Sequence, residues 1–170
     1  VTTCPHCLRT IEEYKDLGLR KDLKVEHHSS FLNRLIKGGF LRAEGNELLP
    51  VVYHDPCYLS RYRSPEGSNE PRKVMEQARV RANEVKRSGD VSFCCGAGGG
   101  MLFTEETEGK RINLERFEEL LETGLNKIAT ACPFCGIMFR DAMTVKDIED
   151  IEVVDIAQLV QERMKGGASA

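Results

Sequence analysis

Pro50-Val-Val-Tyr-His-Asp-Pro-Cys57 and Lys127-Ile-Ala-Thr-Ala-Cys-Pro-Phe-Cys135 follow one plan: a short apolar run, then proline and cysteine together. Such runs, rich in β-branched residues and bounded by turn signals, read as buried strands over 50–54 and 127–130. Pro56 fixes the turn that presents Cys57. Pro133 suits the first position of a helix, where its missing N–H costs nothing. Residues 91–93 and 152–154 read as two further strands. Helical patterns follow. Residues 113–122 place Leu114, Phe117, Leu120 and Leu121 at helical spacing with Gly124 as the stop, and Asp155 reads as the N-cap of a helix over 156–164. This alternation implies an α/β fold, a mostly parallel sheet with crossover helices. In such sheets chemistry gathers at the carboxyl ends of the strands. The runs 50–54, 91–93 and 127–130 all lead into cysteines, so three loops deliver thiols to one sheet edge.

The rest of the composition is ordinary and therefore excludes much. One hundred and seventy residues make one domain, or two small ones sharing a sheet. Hydrophobic residues at 41% and charged ones at 30% exclude a disordered or collagen-like chain. With 24 basic against 27 acidic residues, no Trp and 6% aromatics, nothing supports a nucleic-acid surface. The longest charge-free stretch, 91–104, is 14 residues with four glycines, too short to span a bilayer. Seven cysteines are the exception. Their odd number and the lack of an export signal argue against a disulfide framework and for reduced thiols in the cytoplasm.

A repeat is visible at a period of about 128 residues. Val1-Thr-Thr-Cys-Pro-His-Cys7 matches Ala129-Thr-Ala-Cys-Pro-Phe-Cys135, and 25–39 matches 153–167 as strand, helix and Lys-Gly-Gly. Residues 1–39 thus read as the tail of a truncated first repeat, with Cys4 and Cys7 half of a broken site. Residues 40–49, with a Glu-Gly-Asn turn, read as the connector, and 50–170 as the complete repeat. The last residues, 166–170, read as a frayed end.

Chemistry follows from counting sulfurs. Cys132 and Cys135, three apart at a helix start, can face one ion, and the helix dipole favours their thiolates. That geometry serves zinc, iron–sulfur clusters and dithiol redox chemistry alike. Cys94 and Cys95 are adjacent and would point apart in a strand. The run Gly96-Ala-Gly-Gly-Gly100 lets the backbone turn so that both thiols reach one centre, and its bare N–H groups make an anion-binding concavity. With Cys57 there are five thiols, one more than tetrahedral zinc takes, which favours an unusual iron–sulfur centre. Five thiolates need amides and cations around them. Gly96, Gly98 and Gly99 are the candidate amides, and Arg61, Arg63 and Lys110 the candidate cations. His54 is placed to orient the loop, donate to a sulfur or move a proton. His27 and His28 read as capping or surface groups.

Together His54-Asp-Pro-Cys-Tyr-Leu59, Phe93-Cys-Cys-Gly-Ala-Gly-Gly-Gly100, Gly109-Lys-Arg-Ile-Asn113 and Thr130-Ala-Cys-Pro-Phe-Cys135 resemble the cysteine-rich CCG domain, the repeat of heterodisulfide reductase B-type subunits and related iron–sulfur oxidoreductase subunits. Two intervals of thirty-six residues, Cys57 to Cys94 and Cys95 to Cys132, fit that family's pattern. The resemblance implies a [4Fe-4S]-type centre, in some members a noncubane pair of fused smaller clusters. Its ligands would be Cys57, Cys94, Cys95, Cys132 and Cys135. It further implies an electron-transfer module serving a flavoprotein or ferredoxin-type partner and a quinone or disulfide acceptor, cytoplasmic or held at the inner membrane face through a partner. A zinc-holding structural or assembly module with the same thiols is the alternative.

Overall fold

In chain order the helices are α1 (Pro5–Glu13), α2 (His28–Lys37), α3 (Cys57–Ser60), α4 (Glu66–Gln77), α5 (Ile112–Leu121), α6 (Pro133–Lys146) and α7 (Ile156–Met164), and the strands β1 (Leu49–His54), β2 (Val80–Asn83), β3 (Lys127–Thr130) and β4 (Glu152–Asp155). The computed structural model describes residues 1–14, 22–42, 46–104 and 108–164. All pairings in the four-stranded sheet are parallel, in the order β2-β1-β3-β4.

β1 is hydrogen-bonded on both edges and covered on both faces, which is why it is an unbroken apolar run rather than an alternating one. Successive side chains go to opposite faces. Val51 and Tyr53 pack with Val74, Met75, Leu159 and Val160 of α4 and α7, with Leu32 and Ile36 of α2 at the margin. Val52 packs with Ile128, Val153, Phe117, Leu120, Phe139 and Ala142, under α5 and α6. The chain is therefore a three-layer sandwich with a core on each side of the sheet.

The crossover leaving β1 runs through α4 over the first face, whereas the one leaving β3 runs through α6 over the second. These two strands are neighbours. Their outgoing connections part to opposite faces and open a crevice at the carboxyl ends, the place where open α/β sheets bind ligands.

One expectation needs correction, and one strand was not anticipated. Among the described residues, 91–93 pair with no strand. Gly89 has φ +64°, Gly89–Val91 is a 3₁₀ turn, and Val91 stands 64% exposed. Ser92 behind it is fully buried, its N–H bonded to the Gly89 carbonyl rather than to a strand. The fourth strand is instead β2, unanticipated because an edge strand pairs on one side only, and here buries Val80 alone. The loop that carries Cys94 and Cys95 still leaves from the carboxyl end of a strand, β2, so it reaches the same sheet edge.

Other expectations stand with small shifts. The helix expected over 113–122 runs one residue earlier at each end, and Gly124 follows at φ +70° with its N–H on the Leu121 carbonyl. Asp155 caps α7: its carboxylate accepts from the Ala157 N–H at 2.8 Å, and Gln158 reaches back to the Asp155 N–H at 2.8 Å. The N-terminal segment has the same register as the end of the chain. Thr2 bridges His27 in parallel as Thr130 pairs with Asp155, the corresponding residues standing 128 apart. The expected frayed end at 166–170, most of the Glu-Gly-Asn turn and the second Lys-Gly-Gly lie outside the described residues.

Candidate metal centre

Cys57 opens α3 just beyond β1, and Cys132 is the N-cap of α6 just beyond β3, so both stand at the crevice. Cys135 lies in the first turn of α6. The Cys57 and Cys94 sulfurs are 3.8 Å apart. Beyond that pair the sulfurs of Cys95 and Cys135 lie within 4.8 Å of one another, and electrostatic interactions couple Cys94 to Cys95 and Cys135 to Cys132. All five predicted cysteines are thus in one cluster. Cys95, Cys132 and Cys135 are buried in the apolar core under α5 and α6, and none of the cysteines is disulfide-bonded.

The loops are held by polar struts that the sequence did not reveal. Asp55, wholly buried, takes both Nη atoms of Arg72 at 2.7 Å and the Gly89 N–H at 2.8 Å. It ties the Cys57 turn to the loop that leads to Cys94. Ser60 Oγ lies 3.0 Å from Ser92 Oγ, and Arg61 donates to the Ser92 carbonyl. Arg61 is the expected cation that does face the thiols, where its charge lowers Cys57. Arg63 and Lys110 are engaged in ion pairs with Glu12 and Glu118.

The glycine loop acts through its amides. Gly96 N–H donates to Cys94 Sγ at 3.3 Å, and backbone donors at Ala97 and Gly98 serve Cys95 and Cys94. Gly96 has φ +91°, and a β-carbon there would meet the Asn113 nitrogen and Ile112 Cβ at 3.3 Å. Only glycine fits both conditions. Gly99, at φ +66° in open space, turns the chain without a neighbour. Gly96→Ala should therefore cost about 1–3 kcal/mol in urea unfolding. Gly98→Ala, which has open space and an ordinary φ, should leave the midpoint unchanged.

The thiols are shifted in opposite directions: Cys94 and Cys132 down, Cys57, Cys95 and Cys135 up. Cys94 is pushed down to about 2, chiefly because Cys57 and then Cys95 donate to it, helped by the Gly96 and Gly98 amides. Cys132 is likewise lowered by donation from Cys135 and Cys4. Cys57 is raised by its donation to Cys94 and by burial, and Cys135 by burial and by its donation to Cys132. Cys95 is eased downward by Cys135, but its bond to Cys94 and its burial lift it to about 12. A metal held by these sulfurs would displace their thiol protons.

His54 sits among them, fully buried, with a ring nitrogen and the sulfurs of Cys95 and Cys135 all within 4.8 Å of one another. Burial and then the Arg116 charge hold it down to about 3, so the ring is neutral. Arg116, also fully buried, donates Nε–H to His54 Nδ1 at 3.0 Å.

The N-terminal segment reaches the same place: Cys4, read as half of a broken site, interacts electrostatically with Cys132. Cys4 caps α1, whereas Cys7 is exposed. His6 stacks on Tyr58 with ring centres 3.8 Å apart. His27 caps α2 as expected, but it and His28 are buried rather than on the surface, and His28 Nε2 lies 3.0 Å from Asp155.

Fold and site together define a parallel α/β domain that gathers cysteine thiols at its switch point. The chain belongs to the cysteine-rich domain (CCG) family, whose model matches residues 51–140. It is 35% identical, over 98% of its length, to a probable iron-sulfur-binding oxidoreductase, FadF, of Bacillus subtilis, and covers 23% of that protein. It is 30% identical to an EtfAB:quinone oxidoreductase of Syntrophomonas wolfei over 97% of this chain and 24% of the relative. It is 32% identical to a subunit of the dihydromethanophenazine:CoB–CoM heterodisulfide reductase of Methanosarcina barkeri over 95% and 39%. The chain thus spans between about a quarter and two-fifths of the length of these relatives. Among the described residues no helix is long and apolar enough to cross a membrane.

Proposed function

We propose that Cys57, Cys94, Cys95, Cys132 and Cys135 hold an iron–sulfur centre of [4Fe-4S] type, and that the chain is an electron-transfer module of an oxidoreductase. The observation that carries this reading is the gathering of five buried and half-buried cysteines in one crevice. Tetrahedral zinc closes with four ligands and leaves one thiol unused. Soft thiolates suit iron–sulfur cores, and the donor set supplies what their charge needs: amides at Gly96 and Gly98, the Arg61 guanidinium and the His54 ring. The bound centre would take up and release single electrons. The protein fixes its ligands, excludes water with the core under α5 and α6, and sets the local field.

The named relatives support a flavoprotein or ferredoxin-type donor and a quinone or disulfide acceptor. On this reading the chain works on the cytoplasmic side and meets the membrane through a partner. Residues 1–39 form the tail of one repeat, 40–49 a connector and 50–170 a second repeat, a division supported by the register shared by Thr2–His27 and Thr130–Asp155. The test is anaerobic isolation followed by metal and acid-labile sulfide analysis. About four irons and about four sulfides per chain are expected. About one zinc and no iron would favour the structural module instead, and a metal-free colourless chain would overturn both.

A further inference from the structure

We infer that His54 keeps its one ring proton on Nε2 as a donor reserved for the centre that Cys95 and Cys135 help to hold, and that Arg116 is the positioning residue that fixes it in that role. The inference rests on the five thiols being the metal-binding set, and it adds a part that no relative's name supplies.

A guanidinium has N–H donors and no acceptor. Because Arg116 Nε lies 3.0 Å from His54 Nδ1, that ring nitrogen must present its lone pair. The ring is then neutral and its single proton sits on Nε2. Arg116 cannot turn away: its Nη1 is held by the Arg87 carbonyl at 2.9 Å and by Glu119 Oε2 at 2.7 Å, all under α5. Nor does the imidazole have room to rotate, since Phe139 stands edge-on with ring centres 4.7 Å apart.

Nε2 is wholly buried and has no hydrogen-bond partner among the described residues, sulfur acceptors included. A buried N–H without a partner is costly, on the order of 1–3 kcal/mol. A ring nitrogen of His54 and the sulfurs of Cys95 and Cys135 lie within 4.8 Å of one another, so the unpartnered donor stands beside whatever those sulfurs would hold. One further consequence concerns coordination. A nitrogen that carries a proton has no lone pair for a metal, so His54 is a donor beside the ligands and not a sixth ligand. By placing partial positive charge against the sulfurs it favours the more negative, reduced state of whatever core they hold.

Imidazole ¹⁵N shifts of the reduced, metal-free chain decide the tautomer without any cluster. Nδ1 should resonate as an unprotonated nitrogen and Nε2 as a protonated one. Arg116→Lys, which keeps the charge but loses the Nε donor, should blend the two signals. A protonated Nδ1 in the unaltered chain would overturn the inference. On iron-loaded protein, His54→Leu should move the potential negative by about 59 mV, a tenfold change in the one-electron ratio. His54→Gln, which retains an N–H, should restore most of it. An unmoved potential in a fully loaded His54→Leu variant would also overturn the inference. If the leucine variant fails to fold, the ¹⁵N shifts of the unaltered chain stand as the deciding measurement. A chain that takes no iron would refute the proposed centre while the ring shifts still judged the donor.

Discussion

Cys132→Ser should lose at least nine-tenths of the iron and sulfide that the unaltered chain retains after anaerobic gel filtration. Cys132 is 1% exposed, caps α6 and stands between Cys135 and Cys4 in the run of thiols. A serine hydroxyl in its place is a hard, protonated donor that cannot replace a soft thiolate. The expected loss is specific to the site, because the side chain keeps nearly its shape and the buried hydroxyl costs only about 1–3 kcal/mol. Circular dichroism should show the helices intact. Cys7→Ser is the matched control. Cys7 is exposed and outside the five-thiol run, so its iron and sulfide should equal those of the unaltered chain.

Arg72→Met should be the most destabilising change outside the thiols. The Asp55 carboxylate is fully buried and receives both Nη atoms of Arg72. Removing the cation leaves the Gly89 N–H and an unpaired buried charge. Such a break costs about 3–5 kcal/mol. For a chain of this size that corresponds to a fall in Tm of roughly 6–20 °C, measured calorimetrically on metal-free protein. Arg72→Met combined with Asp55→Leu should recover part of the loss, since the charge is gone, but not the Gly89 contact. A Tm unchanged in the single variant would show that Asp55 is not held as described.

The parts legible in the sequence are those with local signals. Residues 50–54 declared a buried strand because burial on both faces leaves no polar alternation, and Asp155 declared a helix start because its side chain suits an N-cap, where it accepts from the Ala157 N–H. The thiol set was legible because cysteine is rare and its spacing regular. What escaped was either weakly patterned or distant. β2 is a short edge strand with one inward residue, and 91–93 mimics a strand while folding as a turn. Arg72 is seventeen positions from Asp55 and Arg116 sixty-two from His54. Nothing in a single sequence distinguishes such an arginine from one in solvent. The approach of Cys4 to Cys132 had a signal in the 128-residue repeat, but the repeat alone does not say that its copies touch.

The convergence of five thiols on one inorganic core is tested most directly by iron anomalous diffraction from crystals grown anaerobically. A single knot of iron peaks, bounded by the sulfurs of Cys57, Cys94, Cys95, Cys132 and Cys135 with His54 beside but unbonded, is the predicted result. Iron bound elsewhere, or a crevice whose sulfurs hold none, would contradict it.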